Sequence, residues 1–494
     1  MAISQIFSRA QLGIEAPQVR VETHLGPGLP AFTIVGLPAA AVRESRDRVR
    51  SAIVNAGFPF PQTRITVNLA PADLPKDGGR FDLPIALGIL IANGQLPSRA
   101  AESLECLGEL ALNGDLRGVT GVLPAALACG RAGRTLLLPE DNLEEARLCR
   151  RGKLLGAPGL LAACAHLNGI TPLTPATAAE PPPPSMAGPC LSEVRGQAQA
   201  RRALEIAASG GHSLLLCGPP GSGKSMLASR LPGLLPPLDE QQALDVAAIH
   251  SLHRPRPPAL FHLPPFRGPH HTASAVALVG GGSHPRPGEI SMAHHGVLFL
   301  DEIPEFDRRV LEVLREPLET GEVSIARAAR QTTFPARFQL VAAMNPCPCG
   351  YFGDPQRSCG YSCEKARRYQ GRLSGPLLDR IDLHLEVSAV KPEELVSLSP
   401  GEPSARVRER VQATRIRQLS RQGKLNQLLS TRELEPVLSA HGGWLSEAMQ
   451  RMALSARSLH RTLRVARTLA DMSGDDQIST AHLAEALSYR LSSP

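Results

Sequence analysis

Lys224 and Ser225 end the run GPPGSGKS that begins at Gly218, and Asp301 and Glu302 end the apolar run GVLFLDE that begins at Gly296. In the first run, Gly221 and Gly223 let backbone N–H groups close around phosphate oxygens, with Gly218, Pro219, Pro220 and Ser222 completing the turn. Lys224 reaches the outer phosphates of a nucleoside triphosphate, and the Ser225 hydroxyl is placed to hold Mg²⁺. A helix opening at Lys224 adds its own partial positive charge. In the second run, Asp301 is the second Mg²⁺ ligand and Glu302 the general base that orients the attacking water. Together the two runs predict ATP and Mg²⁺ as the bound species.

Those side chains must be held by strands. SLLLC before the loop and VLFL before Asp301 read as buried parallel strands, which carry their working residues at their C-terminal ends. FQLVAAMNPCPCG is a third such strand, ending at Asn345, a polar group that can align the water or the γ-phosphate. SGPLLDRIDLHLEV puts Arg380 before a fourth; it either stabilises charge on a neighbouring subunit's nucleotide or pairs with Asp379 or Asp382. Helical stretches over 405–422 and 445–490 follow, and one of Arg457, Arg461, Arg464 and Arg467 can reach the nucleotide from that helical lid, the others forming a solvated face.

The 494 residues fit about three domains. A formal charge of +7 suits a polyanionic partner without demanding one. The start, MAISQIFSRAQLG, lacks the features of a signal peptide, and the apolar run 83–92 is about half a membrane span. A cytoplasmic protein without membrane partners is expected. Its cysteines should stay reduced, and Cys106, Cys129, Cys149, Cys164, Cys190 and Cys217 read as small packing residues.

Composition divides the chain into a mixed α/β domain over 1–169, a Pro-rich linker over 170–188, an ATPase core over 189–390 and a C-terminal helical lid domain over 391–494. Through PADLPKDGG (71–79) and GELALNGDLRGVTGVLPAALACGRAGRTLLLPEDN (108–142), the first domain resembles the Lon-protease C-terminal domain, a fold shared with ribosomal protein S5. In that resemblance the nucleophile falls at Arg80 and its lysine partner near Leu123, so the Ser/Lys dyad is missing and no protease is expected. Lys76 and Arg80 read instead as part of a basic surface or as ordinary solvated charges.

Three further features carry chemistry. Histidines at 250, 253, 262, 270, 271, 284, 294 and 295 are irregularly spaced and give no metal-ligand pattern; the surrounding 255–288 reads as a loop or helix insertion. Cys347, Cys349, Cys359 and Cys363, within a Cys-rich loop over 347–363, offer four thiolates for a structural Zn²⁺, with packing cysteines as the alternative. The segment 318–338 reads as a hairpin whose Arg327 and Arg330 can hold DNA phosphates independently of sequence. With 3% aromatic residues, base stacking is a minor grip.

FTIVGLP, NLAPADLPKDGGRFDLPIALGIL, GPPGSGKS, PHHTASAVALVGGGSHPRPGEISMAHHGVLFLDE, AAMNPCPCG and SGPLLDRIDLHLEV occur in one order along the chain. By them it resembles the ComM/YifB family, magnesium-chelatase-like members of the AAA+ class that are also related to the MCM helicases. The resemblance implies an α/β AAA+ core, a parallel sheet sandwiched by helices, with a helical lid behind an S5/Lon-like domain. It implies Lys224 and Ser225 in Walker A, Asp301 and Glu302 in Walker B, Asn345 as sensor 1, Arg380 as the arginine finger and Arg457 as sensor 2. It further implies a homo-hexamer that binds nucleotide at subunit boundaries. The implied activity is ATP-driven translocation on forked or three-stranded DNA and single strands, promoting branch migration in recombination during natural transformation. A metal-chelatase motor subunit and a protein remodeller are the alternatives, and DNA stimulation of the ATPase separates them.

Overall fold

The computed structural model describes residues 2–37, 39–180, 182, 188–282, 285–327, 330–352, 357, 359–389, 400–452 and 454–490. His284 and parts of the linker, of the Cys-rich loop and of the 390–399 boundary fall outside this set. The chain forms two compact units, one of residues 1–183 with 243–261, the other of 184–242 with 262–494.

The first unit is built on a seven-stranded mixed sheet. Its strands are β1 (Ala2–Arg9), β2 (Gln18–Gly26), β3 (Ala31–Val35), β4 (Arg64–Ala70), β5 (Leu104–Cys106), β6 (Thr135–Pro139) and β7 (Lys153–Ala157), in the order β3-β4-β2-β1-β5-β6-β7. β1–β2 and β2–β4 are antiparallel, and the other pairs are parallel. The helices α1 (Ala40–Asn55), α2 (Asp82–Ala92), α3 (Val122–Arg131) and α4 (Leu160–Leu167) join them. The long apolar run is α2, and all eleven of its residues are buried, as a helix hydrophobic on every side requires. Gly88 lets it lie close on the sheet, because a Cβ there would sit 2.6 Å from the Thr23 hydroxyl. A buried bidentate pair, Arg9 to Glu105 at 2.6 and 2.7 Å, ties β1 to β5.

Lys76 and Arg80 correct the surface reading, since they are 1% and 4% exposed. Lys76 donates to the Pro71 carbonyl, and Arg80 to Gln11 Oε1 at 3.1 Å and to the Thr120 carbonyl. Backbone carbonyls thus absorb both charges inside the fold. Burial lowers the Arg80 guanidinium to about 10. Leu123 is fully buried too, and its N–H donates to Ser251 Oγ at 3.3 Å. Ser251 also accepts from the Gly121 N–H through its carbonyl at 2.9 Å, so a residue far along the chain closes the start of α3.

The second unit opens with α5 (Ala198–Gly210) and β8 (Leu214–Cys217), followed by α6 (Lys224–Ala228) and α7 (Glu240–Ser251), the latter assigned from Ala243 onward to the first unit. Then come β9 (Phe266–Arg267), β10 (Val297–Leu300), α8 (Pro317–Thr320), the hairpin β11 (Glu322–Arg327) and β12 (Arg330–Pro335), and β13 (Gln339–Met344). After the Cys-rich loop, α9 (Cys363–Gln370) and α10 (Gly375–Leu378) lead to β14 (Leu383–Glu386). The lid helices are α11 (Ser404–Gln422), α12 (Thr431–Met452), α13 (Ala456–Ser473) and α14 (Thr480–Ser488). Five strands form a sheet in the order β9-β10-β13-β8-β14, with every pairing parallel. β8, β10 and β13 are apolar nearly throughout because helices cover both faces of such a sheet. Val407, Leu463 and Leu469 of the lid join Leu214 and Leu216 of the sheet in one hydrophobic core.

Candidate nucleotide site and its surroundings

The turn after β8 is shaped by its glycines. Gly221 and Gly223 have φ of +77° and +86°, a region that side chains disfavour. Gly218 is excluded from bearing a Cβ for a different reason, since one would lie 2.2 Å from the Val387 carbonyl oxygen. The loop therefore runs against the end of β14 and borders a cavity of about 370 Å³. Lys224, Ser225, Asp301, Glu302 and Asn345 all line that cavity. Elements far apart in sequence meet there because β8, β10 and β13 are neighbours that end on one side.

Lys224 donates to the carbonyls of Gly218 at 2.8 Å and Pro219 at 2.9 Å, and to Asn345 Oδ1 at 3.1 Å. Burial lowers its pKa, against the opposing pull of Asp301, Cys217 and Glu302. Ser225 Oγ donates to Asp301 Oδ2 at 2.6 Å. Two oxygen donors in contact fit a hard divalent cation such as Mg²⁺, which takes oxygen ligands and keeps several waters. Glu302 follows in a left-handed conformation, φ +50°, which directs its exposed carboxylate away from the strand. There it lies 3.7 Å from His271 Nδ1. His271 also borders an open cleft of about 560 Å³ beside Glu305 and Arg309, a cleft that Lys224, Ser225 and Asp301 do not line.

Sequence reasoning missed two neighbours of the site. His271 was read only as one of several irregular histidines, although it stands just beyond β9, next to the strand that carries Glu302. Gln197 donates to the Ser222 carbonyl at 2.7 Å and braces the loop from the residue before α5. Its φ of +47° is uncommon for glutamine, and no spacing in the chain announces it.

Arg380 pairs with neither Asp379 nor Asp382. It binds Glu319 of α8 at 2.7 Å and the Pro376 carbonyl at 2.7 Å. Asp379 instead accepts from Ser455 and Ser458 at the start of α13, at 3.3 and 3.0 Å. Asp382 is buried and takes Arg461 at 2.7 Å and the Ser213 N–H and hydroxyl at 2.9 Å each. Burial alone would raise the Asp382 pKa, yet Arg461 and His212 hold it well below the ordinary carboxylate range. Arg461 is thereby committed and Arg464 is mostly desolvated, while Arg457 is exposed one turn earlier on the same helix.

The Sγ atoms of Cys347, Cys349 and Cys359 lie 3.3 to 3.6 Å apart, a separation close to that of three corners of a tetrahedral thiolate site. Cys363 is exposed at the first residue of α9 and lies outside that group. Cys106, Cys129, Cys149 and Cys164 are buried, and Cys190 and Cys217 are half-buried. The hairpin pairs antiparallel from Glu322↔Pro335 to Arg327↔Arg330. That register puts both arginines at its tip; their side chains lie outside the described set. Among the described residues, no helix is long and apolar enough to cross a membrane.

The family described as magnesium chelatase, subunit ChlI, matches residues 190–395, with separate ChlI matches over 21–142 and, for the ChlI C-terminal region, 401–490. Competence protein ComM of Haemophilus influenzae is 49% identical over 502 residues, covering 99% of this chain and 98% of its own. The YifB protein of Escherichia coli is 49% identical over 500 residues, 99% of this chain and 97% of that one. A shorter match, 22% identical over 213 residues and 40% of this chain, joins it to 25% of the DNA replication licensing factor Mcm6 of Drosophila melanogaster. Full-length identity at this level, with a parallel five-stranded core and its loop, carboxylates and asparagine in one cavity, places the chain in the ComM/YifB family of magnesium-chelatase-like AAA+ ATPases.

Proposed function

We propose that this protein is an ATP-driven DNA translocase that works in the cytoplasm as a ring of six copies and moves the branch point of recombination junctions during natural transformation. The observation that carries the reading is the convergence of Lys224, Ser225, Asp301, Glu302 and Asn345 on one cavity. Lys224 takes the outer phosphates, and the loop N–H groups of Gly221 and Gly223 cradle the inner ones. Ser225 and Asp301 would hold Mg²⁺, which would supply charge neutralisation for the transferred phosphoryl group. Glu302 receives the proton of the attacking water, and Asn345 fixes the Lys224 amine, to which it is already hydrogen-bonded.

Arg380 serves the nucleotide of a neighbouring copy, and Arg457 reaches a nucleotide from the lid. At the hairpin tip, Arg327 and Arg330 grip the DNA backbone, so binding is sequence-independent and weakens steeply with salt. Cys347, Cys349 and Cys359 would hold a structural Zn²⁺, which would stiffen the loop that follows Asn345; Cys363 stands outside that group. The sequence kinship with ComM and the partial kinship with Mcm6 support DNA as the partner.

The test is a three-stranded or forked DNA junction incubated with purified protein, ATP and Mg²⁺. The wild type is expected to move the branch, with its ATPase stimulated by DNA. Lys224→Ala and Glu302→Gln should each lower hydrolysis by about a hundredfold or more and stop the movement, with the melting profile retained. ATP hydrolysis that ignores DNA and moves no junction would favour a chelatase-type motor subunit or a protein remodeller.

A further inference from the structure

Arg380 has no free edge. Its side chain is 7% exposed, one terminal nitrogen is on Glu319 and another on the Pro376 carbonyl, and Nε is buried without an acceptor among the described residues. An arginine that stabilises phosphate charge on another subunit must present its planar fork of donors to that phosphate. In the arrangement described here, the fork is turned onto its own subunit. Something has to let it go.

The partner that holds it sits at the root of the hairpin. Glu319 belongs to α8, and Gly321 and β11 follow at once. The junction is stiff: Thr320 Oγ1 donates to the Glu316 carbonyl at 3.0 Å and accepts from the Glu322 N–H at 3.2 Å. Across the base of the hairpin, the Ala336 N–H donates to the Gly321 carbonyl at 2.7 Å. A displacement at the tip is therefore passed down two paired strands to the residue beside Glu319 rather than absorbed in a loop. On the other side, the Arg380 carbonyl accepts from Ser213 Oγ at 3.2 Å, so the backbone of Arg380 is anchored next to β8 while its side chain is tethered to the hairpin root. The carboxylate of Glu319 is 44% exposed, which makes this ion pair cheap to open.

We propose that Glu319 is a positioning residue, which keeps Arg380 folded onto its own subunit and releases it toward the adjacent nucleotide when nucleic acid displaces the hairpin. The proposal rests on the reading of Arg380 as the arginine that acts across the subunit boundary. It makes DNA occupancy and hydrolysis one linked event through a single ion pair.

The experiment measures ATPase with and without single-stranded DNA for the wild type, Glu319→Gln, Arg380→Ala and the double variant. Glu319→Gln should raise the DNA-free rate by about two- to fivefold, the population shift that a half-exposed ion pair allows, and leave the DNA-stimulated rate near wild type. The stimulation ratio falls accordingly, and the double variant behaves as Arg380→Ala alone. A ratio unchanged in Glu319→Gln overturns the proposal, as does an equal fall of both rates, the result of a merely structural contact. Melting temperatures of the same four proteins without nucleotide report the pair directly; additive effects of the two substitutions would also overturn it. A wild type that hydrolyses no ATP would instead overturn the function reading, which keeps the two failures apart.

Discussion

Glu145 shows how a single buried carboxyl sets a pH response in the first unit. Burial pushes it up to about 7, against the opposing pull of the nearby Ser251 hydroxyl and Leu123 N–H. Folded protein therefore keeps a proton on Glu145 that the unfolded chain releases above its ordinary value of 4.5. Stability from this group is fully present below about 4.5 and is lost as pH rises toward 7. Glu145→Gln should flatten that part of the profile, so that its melting temperature gains on wild type between pH 5 and 7; equal slopes would show that Glu145 does not titrate there. Charge is also where the sequence was hardest to read one residue at a time. Lys76 and Arg80 look like solvated cations in any composition count, and only the fold reveals the carbonyls that take them in.

At the scale of elements, the strands were the legible part. β8, β10 and β13 are short apolar runs that lead into Lys224, Asp301 and Asn345, the lysine by way of the glycine-rich loop motif. The hairpin was legible as well, with strands at 322–327 and 330–335 inside the expected 318–338. Partners that depend on which helix packs where were not, because helical spacing puts Arg457, Arg461 and Arg464 on one stretch without saying which faces inward. The packing of α13 decides it: Arg461 meets Asp382 beside β14 and Arg457 stays outside. Arg461→Ala should therefore act on stability and not on nucleotide chemistry alone. It strands a fully buried carboxylate, at a cost of about 3 kcal/mol. Thermal unfolding checks this: a fall in melting temperature is expected for Arg461→Ala and almost none for Arg457→Ala. Similar melting of the two variants would mean that the assignments of these arginines are reversed or shared.

For the whole molecule, the division read from composition was simple: one domain, a proline-rich linker, the ATPase core and then a helical lid domain. The chain is less orderly, because residues 243–261 belong to the first unit although they are encoded between the phosphate loop and Asp301. Nothing in their composition marks them, since an amphipathic helix buries its apolar side equally well against either unit; Val246, Ile249 and Leu252 are buried here. Limited proteolysis in the linker should give two fragments on a denaturing gel that migrate together on a native one; fragments that part under native conditions would show that the 243–261 segment contributes little. The arrangement also bears on how such a protein can arise. Because the polypeptide passes between the units after Pro183, after Gln242 and after Phe261, a cut in the gene at the linker cannot part them cleanly. The first half would lose Ser251, which closes α3, and the second would carry a greasy stretch with nowhere to go. Splitting the gene at the linker would therefore leave each product short of a segment it packs or burdened with one it does not.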